Sequence, residues 1–147
     1  MSRLPLAILV CLTLFFGWRP LGAQAPTVTQ IAASWHILVL RSDGTVSAMG
    51  ENRFGQLGRP KSDPLRFLPP VRVDLPGKAV QVAAGDEYAS YALLEDGTVW
   101  AWGYGGSNNL GVRLSGARDR HTPAQVPGLT GVARIVASRT SVMAVMR

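Results

Sequence analysis

One stretch of this 147-residue chain is said twice, and its opening a third time. Asp43-Gly44-Thr45-Val46 returns as Asp96-Gly97-Thr98-Val99, and Gly50, Leu57 and Gly58 return as Gly103, Leu110 and Gly111, each 53 positions on. Eight of the 16 positions from 43 to 58 are identical in the second copy, with no gap. Val28–Ser34 and Ala79–Gly85 are echoed again by Val132–Ser138. Self-similarity at such a period belongs to supersecondary units that cannot bury their apolar surface alone and must stack on their neighbours. The spacing divides the chain into unit 1 (about 28–78), unit 2 (about 79–131) and a third unit, 132–147, that stops before its Asp-Gly turn.

Each unit reads as short antiparallel strands. In unit 1, His36–Leu40 is apolar on both faces, which requires cover from both sides. Ser42-Asp43-Gly44-Thr45 is a tight hairpin, because glycine tolerates the positive φ that the turn demands, and Val46–Gly50 returns beside it. Unit 2 places Tyr88–Leu94, Glu95–Thr98 and Val99–Gly103 in the same roles. Ala32-Ala33-Ser34, Ala83-Ala84-Gly85 and Val136-Ala137-Ser138 are poor strand formers by propensity. Small residues recur where backbones converge, as on the innermost strand of a radial array whose rim carries wider side chains such as Trp100 and Trp102. The expected fold is therefore all-β: a partial β-propeller of about two to three blades.

The first 23 residues stand apart as an expected signal peptide: a basic start, an apolar run over Leu4–Phe16 and a small-residue close at Ala23-x-Ala25. The run is shorter than the roughly 20 residues of a membrane span. Cleavage before Gln24 leaves 24–147 as the mature propeller segment, expected to be secreted or held in the periplasm or cell envelope, with no membrane attachment. Cys11, the only cysteine, lies inside the signal, so 24–147 has no thiol, disulfide or thiolate ligand. Without Arg3 and Arg19, the 15 basic residues fall to 13 against 9 acidic, a net charge of +4. The positive residues are scattered rather than clustered with aromatics, so no nucleic-acid partner is expected.

The motifs Ala83-Ala84-Gly85, Leu93, Asp96–Gly103 and Gly50-Glu51-Asn52-Arg53-Phe54-Gly55-Gln56-Leu57-Gly58 resemble the regulator-of-chromosome-condensation repeat family. The resemblance covers 28–147 and implies the seven-bladed β-propeller of that family, of which two units and a start are present here. Unit 1 departs in having Ser34 for the glycine, and its Ser34–Asp43 interval is two residues shorter than Gly85–Asp96, which predicts a bulge in one or both strands. Unit 2 departs with Gly105 and Asn108-Asn109 in its long loop. His36 occupies the family's histidine place and reads as structural.

Catalytic chemistry lacks its parts. His121 has no partner at triad or ligand spacing, and the mature chain has no cysteine. Asp86-Glu87 and Glu95-Asp96 are sequence neighbours that point to opposite strand faces. The glycines of 103–111 are not followed by a Lys-Ser/Thr pair or a helix. No catalytic residue, cofactor or metal is expected. Function falls to the loops 51–57, 59–70, 104–110 and 112–122, where Arg53, Phe54, Arg66, Phe67, Tyr104 and Arg113 are of the types favoured at binding hot spots. The reading is an exported, non-catalytic repeat protein that binds an unidentified protein, with self-association through open strand edges. The alternatives are a secreted module for glycans or cell wall, or a truncated gene fragment without independent function. Guanine-nucleotide exchange, known in the family, is opposed by the signal peptide.

Overall fold

A computed structural model describes residues 24–59, 67–106, 108, 110, 111, 119–139 and 141–147. The expected signal helix lies outside the described residues. Among those described there are ten strands and no helix. Strands β1 (Val28–Ala33), β2 (His36–Arg41), β3 (Val46–Glu51) and β4 (Phe67–Arg72) form one antiparallel sheet in that order. β5 (Ala79–Gly85), β6 (Ala89–Leu94), β7 (Val99–Tyr104) and β8 (Asp119–Gln125) form a second, and β9 (Val132–Ala137) pairs with β10 (Val142–Met146).

The Asp-Gly pairs turn β2 into β3 and β6 into β7, with Gly44 and Gly97 each at φ 81°. Each aspartate fixes its turn from the side. The Asp43 carboxylate accepts from the Thr45 hydroxyl at 2.7 Å and its backbone N–H at 3.0 Å, and Asp96 repeats both bonds with Thr98. These bonds, the hydroxyl foremost, hold both exposed carboxyls below their ordinary pKa.

The two-residue difference between the units resides in the turn. Both inner strands carry a register irregularity at the same place, 28/30 and 79/81, so bulging does not distinguish them. β5 instead gains one pair, Gly85↔Ala89, and its turn uses Asp86–Tyr88 where unit 1 uses only Ser34 and Trp35. Gly85 also lies close to the third unit, since a Cβ on it would stand 3.3 Å from the Ser138 carbonyl oxygen.

The sheets stack through two apolar layers. Leu38, Leu40, Val46, Ala48 and Leu57 from the first sheet meet Val82, Ala92, Leu94 and Trp102 from the second. Ala89, Tyr91, Leu93, Val99 and Ala101 then meet Val132 and Ile135 of the third unit. The strands of small residues lie side by side, β1 against β5 and β5 against β9, as convergence on an axis requires.

A polar device repeats at both junctions. The Gln30 carboxamide donates to the Val82 carbonyl and accepts from the Val82 N–H, each at 2.9 Å. Gln81 does the same to Ile135, at 2.7 and 2.8 Å. One planar amide thus satisfies two main-chain groups of the next inner strand and fixes its height.

Candidate functional site

The end of the molecule opposite the Asp-Gly turns carries the β1–β2 and β5–β6 turns and the long connection after β3. That connection, 52–58, belongs to the first sheet in sequence but is pinned to the second. Leu57 is fully buried in the junction core. The Asn52 side chain accepts from the Leu57 N–H at 3.1 Å and the Gln56 side chain from the Phe54 N–H at 2.9 Å. The Gln56 main-chain carbonyl receives both the Ser90 hydroxyl, at 2.8 Å, and the Trp102 indole N–H, at 2.9 Å. Because Ser90 donates there, it accepts from His36, whose Nε2 lies 2.7 Å away. His36 is therefore the neutral Nε2–H tautomer, and its buried Nδ1 has no partner among the described residues. Burial lowers its pKa from 6.5 to about 4. The histidine is structural, joining β2 to β6.

With its root fixed, the loop presents Arg53 and Phe54 outward. Phe54 stacks tilted on Tyr88, ring centroids 4.9 Å apart, and on Tyr104 at 5.0 Å. Tyr88 in turn meets Trp35 at 5.9 Å. The Arg53 guanidinium sits 5.3 Å above the Phe54 ring. Four rings from four segments thus form one row, Trp35–Tyr88–Phe54–Tyr104, across the seam between the sheets. Trp35, at its outer end, is 61% exposed. Tyr88 holds φ 57°, a left-handed conformation costly for an aromatic residue. Its carbonyl accepts from the Tyr104 N–H at 3.0 Å, which anchors the turn. Gly103 is required beneath it, since a Cβ there would lie 2.1 Å from that same carbonyl oxygen.

Of the residues singled out from sequence, the structure brings together Arg53, Phe54 and Tyr104. Tyr104 is the last residue of β7 rather than a loop residue, because its backbone still pairs with Asp119. Phe67 likewise opens strand β4, opposite Glu51, so 67–70 is strand and not loop. His121 lies in β8, not in a polar loop, and packs against Gly55. Arg66 and Arg113 lie outside the described residues. Sequence reasoning missed Trp35 and Tyr88, although they stand 53 positions apart at the same place in the repeat.

The second unit builds its loop differently. Asn108 takes the place of Gly55 and, at φ 56°, its positive φ as well, a conformation asparagine tolerates. Leu110 is buried as Leu57 is. A cavity of about 360 Å³ lies beside it, lined mainly by Val99, Leu110, Val126, Ile135, Val142 and Ala144. At the first junction Trp102 packs in the core beside Leu57; among the described residues, β9 and β10 are the strands of the third unit at the second junction. The lining is mostly apolar, with Asn108 and Ser141 its polar side chains. Among the described residues no three His, Cys, Asp or Glu side chains gather in a group that could hold a metal.

Comparison with known proteins gives these features a common origin. Models of the Regulator of chromosome condensation (RCC1) repeat match residues 43–91 and 96–145, and a second model of that repeat matches 28–56 and 79–111. The chain is 37% identical over 106 residues to the Drosophila melanogaster Regulator of chromosome condensation, covering 71% of this chain and 19% of that one. It is 36% identical over 106 residues to the Arabidopsis thaliana Ultraviolet-B receptor UVR8, covering 70% of this chain and 23% of the relative. It therefore spans about a fifth of the length of these proteins. Human WBSCR16 superposes with a TM-score of 0.72 at 27% identity, over 82% of this chain and 32% of that structure. Prp20p from Saccharomyces cerevisiae gives 0.72 at 22% identity, over 81% and 31%, and shows the shared fold. The strand order, the Asp-Gly hairpins and the Asn52–Gly58 loop are thus those of a β-propeller, and the chain belongs to the Regulator of chromosome condensation (RCC1) repeat family.

Proposed function

We propose that this chain is exported after loss of residues 1–23 and serves, through 24–147, as a non-catalytic propeller module that binds another protein by its aromatic row. The observation that carries the reading is the row itself: four rings and Arg53 on one end of a rigid scaffold, held partly by a strained Tyr88 backbone. Tryptophan, tyrosine and arginine dominate protein-binding hot spots, since they bury much area at little entropic cost. Left-handed backbone at a bulky residue also concentrates at binding sites. Structures sharing the fold concern protein partners: Prp20p with Gsp1p and histones, and yeast RCC1 with Kap60. Export is supported by the apolar run Leu4–Phe16 and its small-residue close.

The test is affinity capture from the medium and cell envelope with the wild-type chain and with Trp35→Ala/Phe54→Ala. A protein retained by the first and lost with the second is expected. Equal recovery by both, or none by either, overturns the reading. A second reading, binding of cell-wall or extracellular glycans, is favoured by the exposure of Trp35, an open ring of the kind that stacks on sugars. Glycan-array binding that disappears with Tyr104→Ala and Trp35→Ala would select it instead.

A further inference from the structure

The aromatic row offers more than apolar area, because it also carries a cation. Arg53 is exposed, and its guanidinium lies 5.3 Å above the Phe54 ring. Among the described residues no carboxylate pairs with it. Contact with a ring restrains the guanidinium while its N–H donors stay available, and a restrained fork matches a carboxylate with two parallel hydrogen bonds. The root beneath is fixed as well: the Gln56 side chain accepts from the Phe54 N–H at 2.9 Å, and Leu57 is fully buried. Much of the ordering that an arginine undergoes on binding is thus complete before a ligand arrives.

Beside the cation the rings form ridges rather than a flat plate. Phe54 is tilted 47° against Tyr88 and 54° against Tyr104, and all three rings are half-buried. Tyr104 is confined on another side, where a Cβ on Gly106 would strike its hydroxyl. Notches between fixed, tilted rings suit proline, whose polyproline-II chain is already extended when it docks on aromatic side chains. An added β-strand is a poorer occupant, because the main chain here is engaged: the Tyr104 N–H is held by the Tyr88 carbonyl and the Phe54 N–H by Gln56.

We infer that the row takes an extended, proline-bearing segment of its partner that contains one aspartate or glutamate, whose carboxylate accepts from Arg53 while the prolines lie between the rings. This rests on the reading of the row as a protein-binding site and specifies its ligand. The charge of 24–147, 13 basic residues against 9 acidic, favours an acidic partner at long range. Arg53, Phe54, Tyr88 and Tyr104 all lie at the seam between the two four-stranded sheets, so the platform does not depend on Trp35 at the outer end of the row.

The experiment is binding of the purified chain to an array of capped heptaprolines in which one position at a time is glutamate. Matching series carry glutamine or phosphoserine instead, a further series places glutamate in heptaalanine, and hexagalacturonate supplies carboxylates on sugar rings. The best glutamate peptide is then titrated by calorimetry against the wild type, Arg53→Gln, Phe54→Ala and Arg139→Gln, each checked for native β content by circular dichroism. Arg139 is exposed in the turn after β9 and takes no part in the row, so its variant controls for net charge. At least one glutamate heptaproline should bind about tenfold or more tighter than its glutamine counterpart. Arg53→Gln should abolish that preference, Phe54→Ala should remove binding of both peptides, and Arg139→Gln should change neither. No binding to any peptide, equal binding of glutamate and glutamine, or a preference that survives Arg53→Gln overturns the proposal. So does equal binding of the heptaalanine series, or tighter binding of phosphoserine peptides or hexagalacturonate, which would assign Arg53 to phosphate or to acidic sugars. A protein captured from the medium or envelope, lost with Phe54→Ala yet retained by Arg53→Gln, would overturn this ligand while leaving the row a protein-binding site.

Discussion

The side chain of Gln30 closes on the main chain of Val82 through two hydrogen bonds of 2.9 Å, one given and one received, across the seam between the two sheets. Fifty-one residues on, Gln81 closes on Ile135 in the same way. A β-propeller junction is otherwise held by side-chain packing, which is tolerant of small slips along the strands. The carboxamide is not, because moving the strand by one residue would present the wrong pair of main-chain groups.

Replacing Gln30 with methionine keeps its volume and removes both bonds, leaving the Val82 N–H and C=O without partners. The expected cost is about 2 kcal/mol, read as a lower urea midpoint at unchanged slope. Gln30→Glu should cost at least as much, since a carboxylate cannot donate to the Val82 carbonyl. A midpoint unchanged in either variant would mean that packing alone sets the junction.

His36 makes stability depend on pH. Its folded pKa, about 4, lies below the unfolded value of 6.5, so the unfolded chain binds the proton more readily. Stability is full above pH 6.5 and declines as the pH falls toward 4, by about 3 kcal/mol at most. Asp43 and Asp96, also held low, lose their contributions only below the ordinary carboxylate range. Urea midpoints measured from pH 7.5 to 4 should fall in the wild type and flatten in His36→Asn.

Leu57→Ala should destabilise by roughly 2–5 kcal/mol, because the side chain is fully buried and its loss leaves a cavity under the loop root. The same substitution should weaken partner capture, since Phe54 and Arg53 are displayed from that root. Thermal unfolding gives the first quantity and affinity capture the second. Retention of both properties would show that Asn52 and Gln56 suffice to hold the loop.

Tyr88→Gly relieves the left-handed backbone and removes the ring that touches both Trp35 and Phe54. Relief of strain, about 1–3 kcal/mol, opposes the lost ring contacts and apolar area, about 0.5–1.5 kcal/mol per ring pair. Stability should stay within about 1 kcal/mol of wild type while partner binding is lost. A stable variant that still binds would remove the row from the binding site.

Much of this architecture could be read from the chain itself, because its causes are local. Asp-Gly demands a hairpin wherever it stands, strands apolar on both faces demand cover on both sides, and a repeat at 53 residues demands that like units stack. The loop Asn52–Gly58 was legible only in part: its glycines, at positive φ, act within seven residues, whereas Leu57 is buried against the second sheet. Only the tertiary structure decided what crosses the seams. Gln30 and Gln81 look like solvated polar residues in their own strands and acquire a partner only when the next sheet arrives. Trp35 and Tyr88, the latter read from sequence as the start of a strand but held in the turn before β6, become one surface with Phe54 because stacking brings segments more than 30 residues apart within 6 Å. Strand and turn follow from forces between near neighbours; the clamp and the aromatic row follow from contacts that exist only after the units are stacked.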